Sequence, residues 1–310
     1  MVTIQKQINE IPGFKNLELL ASQVVEGFIS GLHKSPFHGF SAEFAEHKVY
    51  NTGESTRHID WKLFAKTDKL FTKHYEEETN LRCHLIIDNS SSMHYPEIKE
   101  FSINHLNKIG FACLASAAVM SLLKKQRDAV GLSIYSNQYE YYASEKSSER
   151  HHHMLLDQLN KALQKPVSEK TTDTYVFLHQ IAEKMKRRSL VFLFSDMFQS
   201  DVEEEKLFEA LQHLKYNKHE VVLFHTIDKR KEWQFDFDNH PRKFVDVETG
   251  EFLNLYPDTI KENYENAVSQ YFKQLKLKCG QYRIKYVEAD INAGFSSILI
   301  AYLIEKQKFR

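Results

Sequence analysis

The sequence predicts an α/β fold: a doubly wound, mostly parallel sheet with helices on both faces, joined to a small N-terminal helix and antiparallel β module. Three observations carry this. Apolar runs rich in β-branched and aromatic residues recur at 83–88, 129–136, 189–196, 220–227 and 282–289, as strands buried on both faces require. Between them lie stretches of ten or more residues suited to helices, and that alternation specifies a parallel sheet covered on both sides. Gly 10 and Pro 6 make 16 of 310 residues, about 5% where about 12% is ordinary. That scarcity favours long regular elements and excludes collagenous, linker-rich and Gly-loop-dominated chains.

Taken in order, residues 14–33 place apolar side chains at 14, 17, 20, 24, 25, 28 and 32, the rhythm of an amphipathic helix that needs a partner surface. From 40 to 78 short alternating, aromatic-rich runs separated by turn residues predict a small antiparallel β unit, with HIDWKLFAK as one of its runs. Residues 1–78 are therefore read as a first module and 79–310 as the α/β domain. In that domain CHLIID (83–88) ends in the polar loop NSSSMHYPE, and a helix is expected over 98–125. The run YEYYAS (139–144) reads as an edge strand, and further helices are expected at 149–164, 174–186, 203–215, 257–277 and 294–307. Residues 229–256 break the alternation with WQFDF, KFVDVETGEFLNLY and a Thr249-Gly250 turn, which predicts an inserted hairpin.

Charge narrows the function classes. Lys+Arg 41 against Asp+Glu 42 gives a formal charge of −1, which argues against a chain that wraps a polyanion or coats an anionic membrane. No clustered basic stripe suggests nucleic-acid binding. Cys83, Cys113 and Cys279 lie far apart, without a C-x-x-C pair, so neither a disulfide framework nor a thiolate zinc site is indicated and a reduced, cytoplasmic chain is expected. The longest apolar stretch, Gly110 to Leu123, is about 14 residues against the roughly 20 that span a bilayer. A buried helix is expected there.

Ligands of open doubly wound sheets sit beyond the carboxyl ends of the strands, and three polar features should converge at that end. The first core strand ends in Asp88-Asn89-Ser90-Ser91-Ser92-Met93, the loop before the 174–186 helix holds Thr171-Thr172-Asp173-Thr174, and strand 189–196 ends in Ser195-Asp196. One or two carboxylates, three hydroxyls and water form a hard, all-oxygen shell suited to Mg²⁺ or Mn²⁺, with room for one external oxygen. No soft ligand is offered.

Asp88-x-Ser90-x-Ser92 after an apolar strand, a Thr in the later loop and an Asp ending the next core strand resemble the metal-ion-dependent adhesion site (MIDAS) of von Willebrand factor A (vWA) domains. The resemblance implies that Ser90, Ser92 and Thr172 offer hydroxyl oxygens, while Asp88 and Asp196 bind the ion directly or through water. Residues 39–78, with Gly53-Glu54, Arg57, Ile59-Asp60-Trp61 and Glu78, resemble the signature ahead of the vWA domain in the bacterial family known as domain of unknown function 58 (DUF58). Asp246-x-Glu248-Thr249-Gly250-Glu251, Tyr271-Phe272, Cys279 and Ala301-Tyr302-Leu303 extend that likeness to the C-terminus. The resemblance implies a non-enzymatic adaptor or chaperone-like protein with a vWA-like fold, working with a MoxR-type AAA+ ATPase and an unknown protein client.

The rival reading is a Mg²⁺-dependent phosphohydrolase of the haloacid dehalogenase type, which also places an Asp after the first strand. That chemistry needs a second carboxylate two residues later, where this chain has Ser90, and a lysine that the sequence does not reveal. Arg57, Asp60 and Trp61 are read as a salt-bridged structural hairpin. His151-His152-His153 is read as a solvated face, because consecutive helical residues project about 100° apart and chelate one ion poorly. Cys113 and Cys279 read as core.

Overall fold

Each core run is apolar on both of its alternating faces, so it buries best between two helical layers. In the computed structural model, which describes residues 17–32, 47–49, 61–67, 70–73, 81–98, 101–136, 139–164, 174–198, 201–246 and 250–307, these runs form one six-stranded sheet. Its members are β3 (Arg82–Asp88), β4 (Ala129–Tyr135), β5 (Tyr139–Lys146), β6 (Leu190–Ser195), β7 (Glu220–Ile227) and β10 (Lys285–Asp290), in the order β10-β7-β6-β3-β4-β5. Neighbours pair in parallel, except that the edge strand β5 runs antiparallel to β4. This is the doubly wound, mostly parallel arrangement that the alternation predicts.

One face is covered by α1 (Leu17–Leu32), α3 (Lys108–Lys125), α4 (Glu149–Gln164) and α8 (Ser296–Gln307), whose apolar side chains join a single core with Leu85, Ile87 and Phe192 of the sheet. The other face is covered by α5 (Thr174–Lys184), α6 (Asp201–Tyr216) and α7 (Pro257–Gln281), packed on Ile86, Val191 and Leu193. The apolar stretch read as a buried helix lies within α3, which is buried continuously from Lys108 to Met120. The amphipathic N-terminal segment finds its partner there too: Leu17, Ala21 and Val25 of α1 join the same core. Among the described residues no helix is long and apolar enough to cross a membrane.

The N-terminal β unit is present as β1 (His47–Val49) paired antiparallel with β2 (Phe71–Lys73). Between them, however, Trp61–Thr67 forms a helix, α2, rather than the alternating run expected. Trp61 and Phe64 stand three apart, and Lys, Leu and Ala are strong helix formers, so a local period of 3.6 prevails over the aromatic content. Arg57 and Asp60 lie outside the described residues.

The helix expected over 98–125 starts only at Lys108, because Asn107 caps it by accepting a hydrogen bond from the Gly110 N–H at 2.9 Å. The histidine triplet also departs from expectation: His151 and His152 are buried and only His153 faces solvent. His151 Nε2 donates to the Val130 carbonyl at 2.9 Å, which ties α4 to the sheet. The segment 229–256 contains a π-helical turn, Lys229–Trp233, and the expected hairpin, β8 (Arg242–Val245) against β9 (Phe252–Leu255). Cys83, Cys113 and Cys279 are all free and buried, and burial raises each thiol's pKa.

Candidate metal centre

Strand order reverses between β3 and β6: one leads outward to β4, the other to β7. The cleft beyond the carboxyl ends of such a pair is where an open sheet leaves room for a ligand. Register sets the level. Ile87 pairs with Phe194, Asp88 with Tyr135 and Ser195 with His225, so four polar side chains from four strands end on one plane.

Asp88 organises the loop that follows it. Its Oδ1 accepts a hydrogen bond from the Ser90 backbone N–H at 3.0 Å, an Asx turn that folds the chain over the strand end. Its Oδ2 accepts from Ser195 Oγ at 2.7 Å, a link across 107 residues of sequence. The Ser90 and Ser92 hydroxyls lie 3.1 Å apart. Asn89 braces the loop, donating to Glu140 at 3.1 Å and accepting from His94 Nε2 at 3.0 Å. Asp88, Ser90 and Ser92 are thus joined by hydrogen bonds, with the Asp196 carboxylate near enough for its charge to act on Asp88, whereas Thr172 lies outside the described residues. Thr174, the first residue of α5, is buried beside the Tyr135 hydroxyl.

The electrostatics are unbalanced. Burial, and then the nearby Asp196 charge, push the Asp88 carboxyl up to about 6 despite its hydrogen bonds from Ser195 and Ser90. Tyr135, fully buried, has its pKa raised by burial and by the Asp88 charge. Its hydroxyl is enclosed near those of Thr174 and Ser195 without a hydrogen bond of normal geometry.

Three residues that the sequence reading did not assign complete the site. Lys108, the first residue of α3, is 1% exposed, and its Nζ donates to Asp196 Oδ2 at 2.8 Å and to Glu232 Oε1 at 2.5 Å. Burial alone would lower its pKa, but the two carboxylates outweigh burial and raise it. Glu232 sits on the π-helical turn, and its Oε2 accepts from the Asp228 N–H at 2.7 Å. His225 donates from Nε2 to the Asp196 carbonyl oxygen at 2.9 Å and accepts from the Tyr286 hydroxyl at 2.7 Å. Burial lowers its pKa to about 4, so it is a neutral strut for the Asp196 backbone. One signal for Lys108 was present: a lone lysine heading the largely apolar stretch Ile109 to Leu123 has to find its counter-charge inside the protein.

With its groups ionised the cluster holds three carboxylates, Asp88, Asp196 and Glu232, against one ammonium, an excess of two negative charges in an enclosed space. Every available donor is a hard oxygen, so the residues suit a divalent cation of the Mg²⁺ or Mn²⁺ kind. Among the described residues no three His, Cys, Asp or Glu side chains converge on one point, so such an ion would depend on hydroxyls. Asp88, Ser90 and Ser92 would hold it; Asp196, with one oxygen on Lys108, would act through water.

A second polar cluster lies on the same face of β3. His84 Nδ1 donates to Glu145 Oε1 at 2.7 Å, and its Nε2 meets Ser133 Oγ at 2.7 Å. Gly131 makes room for the ring, since a Cβ there would stand 2.5 Å from His84 Nδ1. The contact order is that of a Ser-His-acid triad, but Ser133 and His84 are both 0% exposed, so no substrate reaches the hydroxyl.

Residues 46–273 match the family described as "Protein of unknown function DUF58". Uncharacterized protein Rv1480 of Mycobacterium tuberculosis and uncharacterized protein Mb1516 of Mycobacterium bovis are each 23% identical over 216 residues, 70% of this chain. The chain spans 64% of the length of these relatives. Among solved structures it is similar to conserved hypothetical protein BatB from Bacteroides thetaiotaomicron, with a TM-score of 0.44 and 13% identity over 74% of this chain and 100% of that one. It is also similar to an aerotolerance-related membrane protein from Bacteroides fragilis, with a TM-score of 0.41 and 15% identity over 73% of this chain and 99% of that one. Because the matched segment covers well over half of its residues, the chain belongs to the DUF58 family.

Proposed function

We propose that this protein is a cytoplasmic, non-enzymatic adaptor or chaperone-like protein that captures an acidic side chain of a client through Mg²⁺, or Mn²⁺, held by Asp88, Ser90, Ser92, Thr172 and Asp196. Its expected working partner is a MoxR-type AAA+ ATPase. The observation that carries the reading is the uncompensated pair of negative charges beside two serine hydroxyls, at the point where the strand order reverses. An ion with few anionic ligands keeps positive charge and accepts one more carboxylate oxygen in a charge-assisted bond. The chain's own residues set this up: Ser195 and the Ser90 N–H aim the Asp88 carboxylate, and His225 fixes the Asp196 backbone.

The phosphohydrolase reading gains Lys108 but still lacks its acid-base group. The residue two positions after Asp88 is Ser90, whose hydroxyl is paired with Ser92. The adaptor reading is tested by pull-down of the tagged protein from its native lysate with Mg²⁺ and with EDTA. The ATPase and any client should co-purify with Mg²⁺, and Asp88→Ala or Ser90→Ala should lose them while remaining folded. Recovery of the same partners in EDTA would refute the metal bridge.

A further inference from the structure

The buried lysine is unexpected at a centre read as a cation site. Its ammonium already neutralises one oxygen of Asp196, and Glu232 holds it there from the opposite side. The clamp is built to keep its place. Lys108 is anchored at the capped start of α3, its N–H donating to the Tyr95 carbonyl at 3.0 Å. Glu232 is fixed by the Asp228 N–H, and the Glu232 carbonyl accepts from the Tyr264 hydroxyl of α7 at 2.8 Å. The turn is secured further by Asp228 Oδ1, which accepts from the Arg230 N–H at 3.2 Å and from Asn292 Nδ2 at 3.0 Å. Every part of the pair except the Lys108–Asp196 contact is therefore tied to rigid elements.

Resting on the metal reading above, we infer that Lys108 and Glu232 form an internal counter-ion clamp that sets the centre's divalent affinity, the ammonium competing with the metal for Asp196 and Glu232 governing how strongly it competes. Lys108 and Glu232 are positioning residues, not ligands. Removing Glu232's charge throws the whole ammonium onto Asp196 and deletes a nearby negative charge, so both effects weaken metal binding. Removing both charges leaves the net charge unchanged but frees Asp196, and because Nζ stands directly on an Asp196 oxygen, its loss outweighs the loss of the more distant Glu232. The two variants should therefore shift affinity in opposite directions, which a merely structural ion pair would not do.

The test is calorimetric titration of the full-length protein with Mn²⁺ at pH 7.5, comparing wild type, Glu232→Gln and the charge-balanced double variant Lys108→Met/Glu232→Gln. The double variant avoids stranding buried carboxylates, and circular dichroism checks that each protein is folded. The clamp predicts affinity about tenfold or more weaker for Glu232→Gln and about tenfold or more tighter for the double variant. Shifts in the same direction, or none, with a binding wild type would overturn the clamp and leave the metal reading standing. No Mn²⁺ binding by any of the three would overturn both. Binding by the double variant alone would support the clamp and refute the metal reading for the natural chain.

Discussion

His84 and Asp88 stand four residues apart on the same face of β3, and both sit in enclosed polar clusters. Around His84 the account of three groups closes: one carboxylate, one imidazole and one hydroxyl meet at 2.7 Å on each side, and burial's tendency to raise the Glu145 pKa is outweighed by His84, which lowers it. Around Asp88 it does not close. Burial and the Asp196 charge raise the Asp88 pKa, a third carboxylate, Glu232, reaches in from the π-helical turn, and one ammonium serves Asp196 and Glu232 together. Under the proposed metal bridge, the contrast is between a polar network that specifies a core and one that receives a ligand.

Breaking the open cluster should cost most. Lys108→Ala strands the buried Asp196 and the half-buried Glu232 carboxylates, and chemical denaturation in EDTA should show about 3–5 kcal/mol of lost stability, part of it restored by Mg²⁺. In the closed cluster Glu145→Ala leaves the buried His84 N–H without an acceptor, an expected loss of about 2–3 kcal/mol with Mn²⁺ binding unchanged. A metal-binding defect in that variant would mean that the two clusters are one system.

Asp88→Asn should move the other way. Its folded pKa of about 6 exceeds the ordinary 3.8, so the contribution of the proton to stability is full below about pH 4 and is lost as pH rises through 6. At pH 8 in EDTA the asparagine variant should therefore exceed wild type by about 2 kcal/mol, the roughly 3 kcal/mol charge penalty less one mismatched hydrogen bond. The advantage should vanish near pH 4. Equal stabilities at both pH values would show that Asp88 carries no burial penalty. The smallest effects concern the histidine triplet. His153→Ala should change stability by less than about 0.5 kcal/mol, whereas His151→Ala should lose about 1 kcal/mol with the bond from α4 to Val130.

The sheet and its helices were legible because each core strand is apolar on both faces and each connection is long enough to cross over. The carboxyl-end cluster was legible in its ligand-like half: Asp88, Ser90, Ser92 and Asp196 close strands or open loops, where residue type and position coincide. Its counter-ions were not. Lys108 and Glu232 are 124 positions apart and meet Asp196 only through the fold, and nothing in local periodicity records such a contact. Helix α2 was missed because seven residues display too little of a helical period to be told in the sequence from a short aromatic strand. The buried His151 and His152 were missed because their helix turns toward the sheet and the N-terminal helix.

The central claim is that the open cluster holds one divalent ion through Asp88. Electron paramagnetic resonance of Mn²⁺ added to the full-length protein reads this directly, since bound Mn²⁺ loses the sharp six-line signal of the free ion. The account predicts one bound Mn²⁺ per chain in wild type, displaced by excess Mg²⁺ and absent in folded Asp88→Ala. A wild type that leaves the free-ion signal untouched, or an Asp88→Ala variant that binds Mn²⁺ as well as wild type, would contradict it.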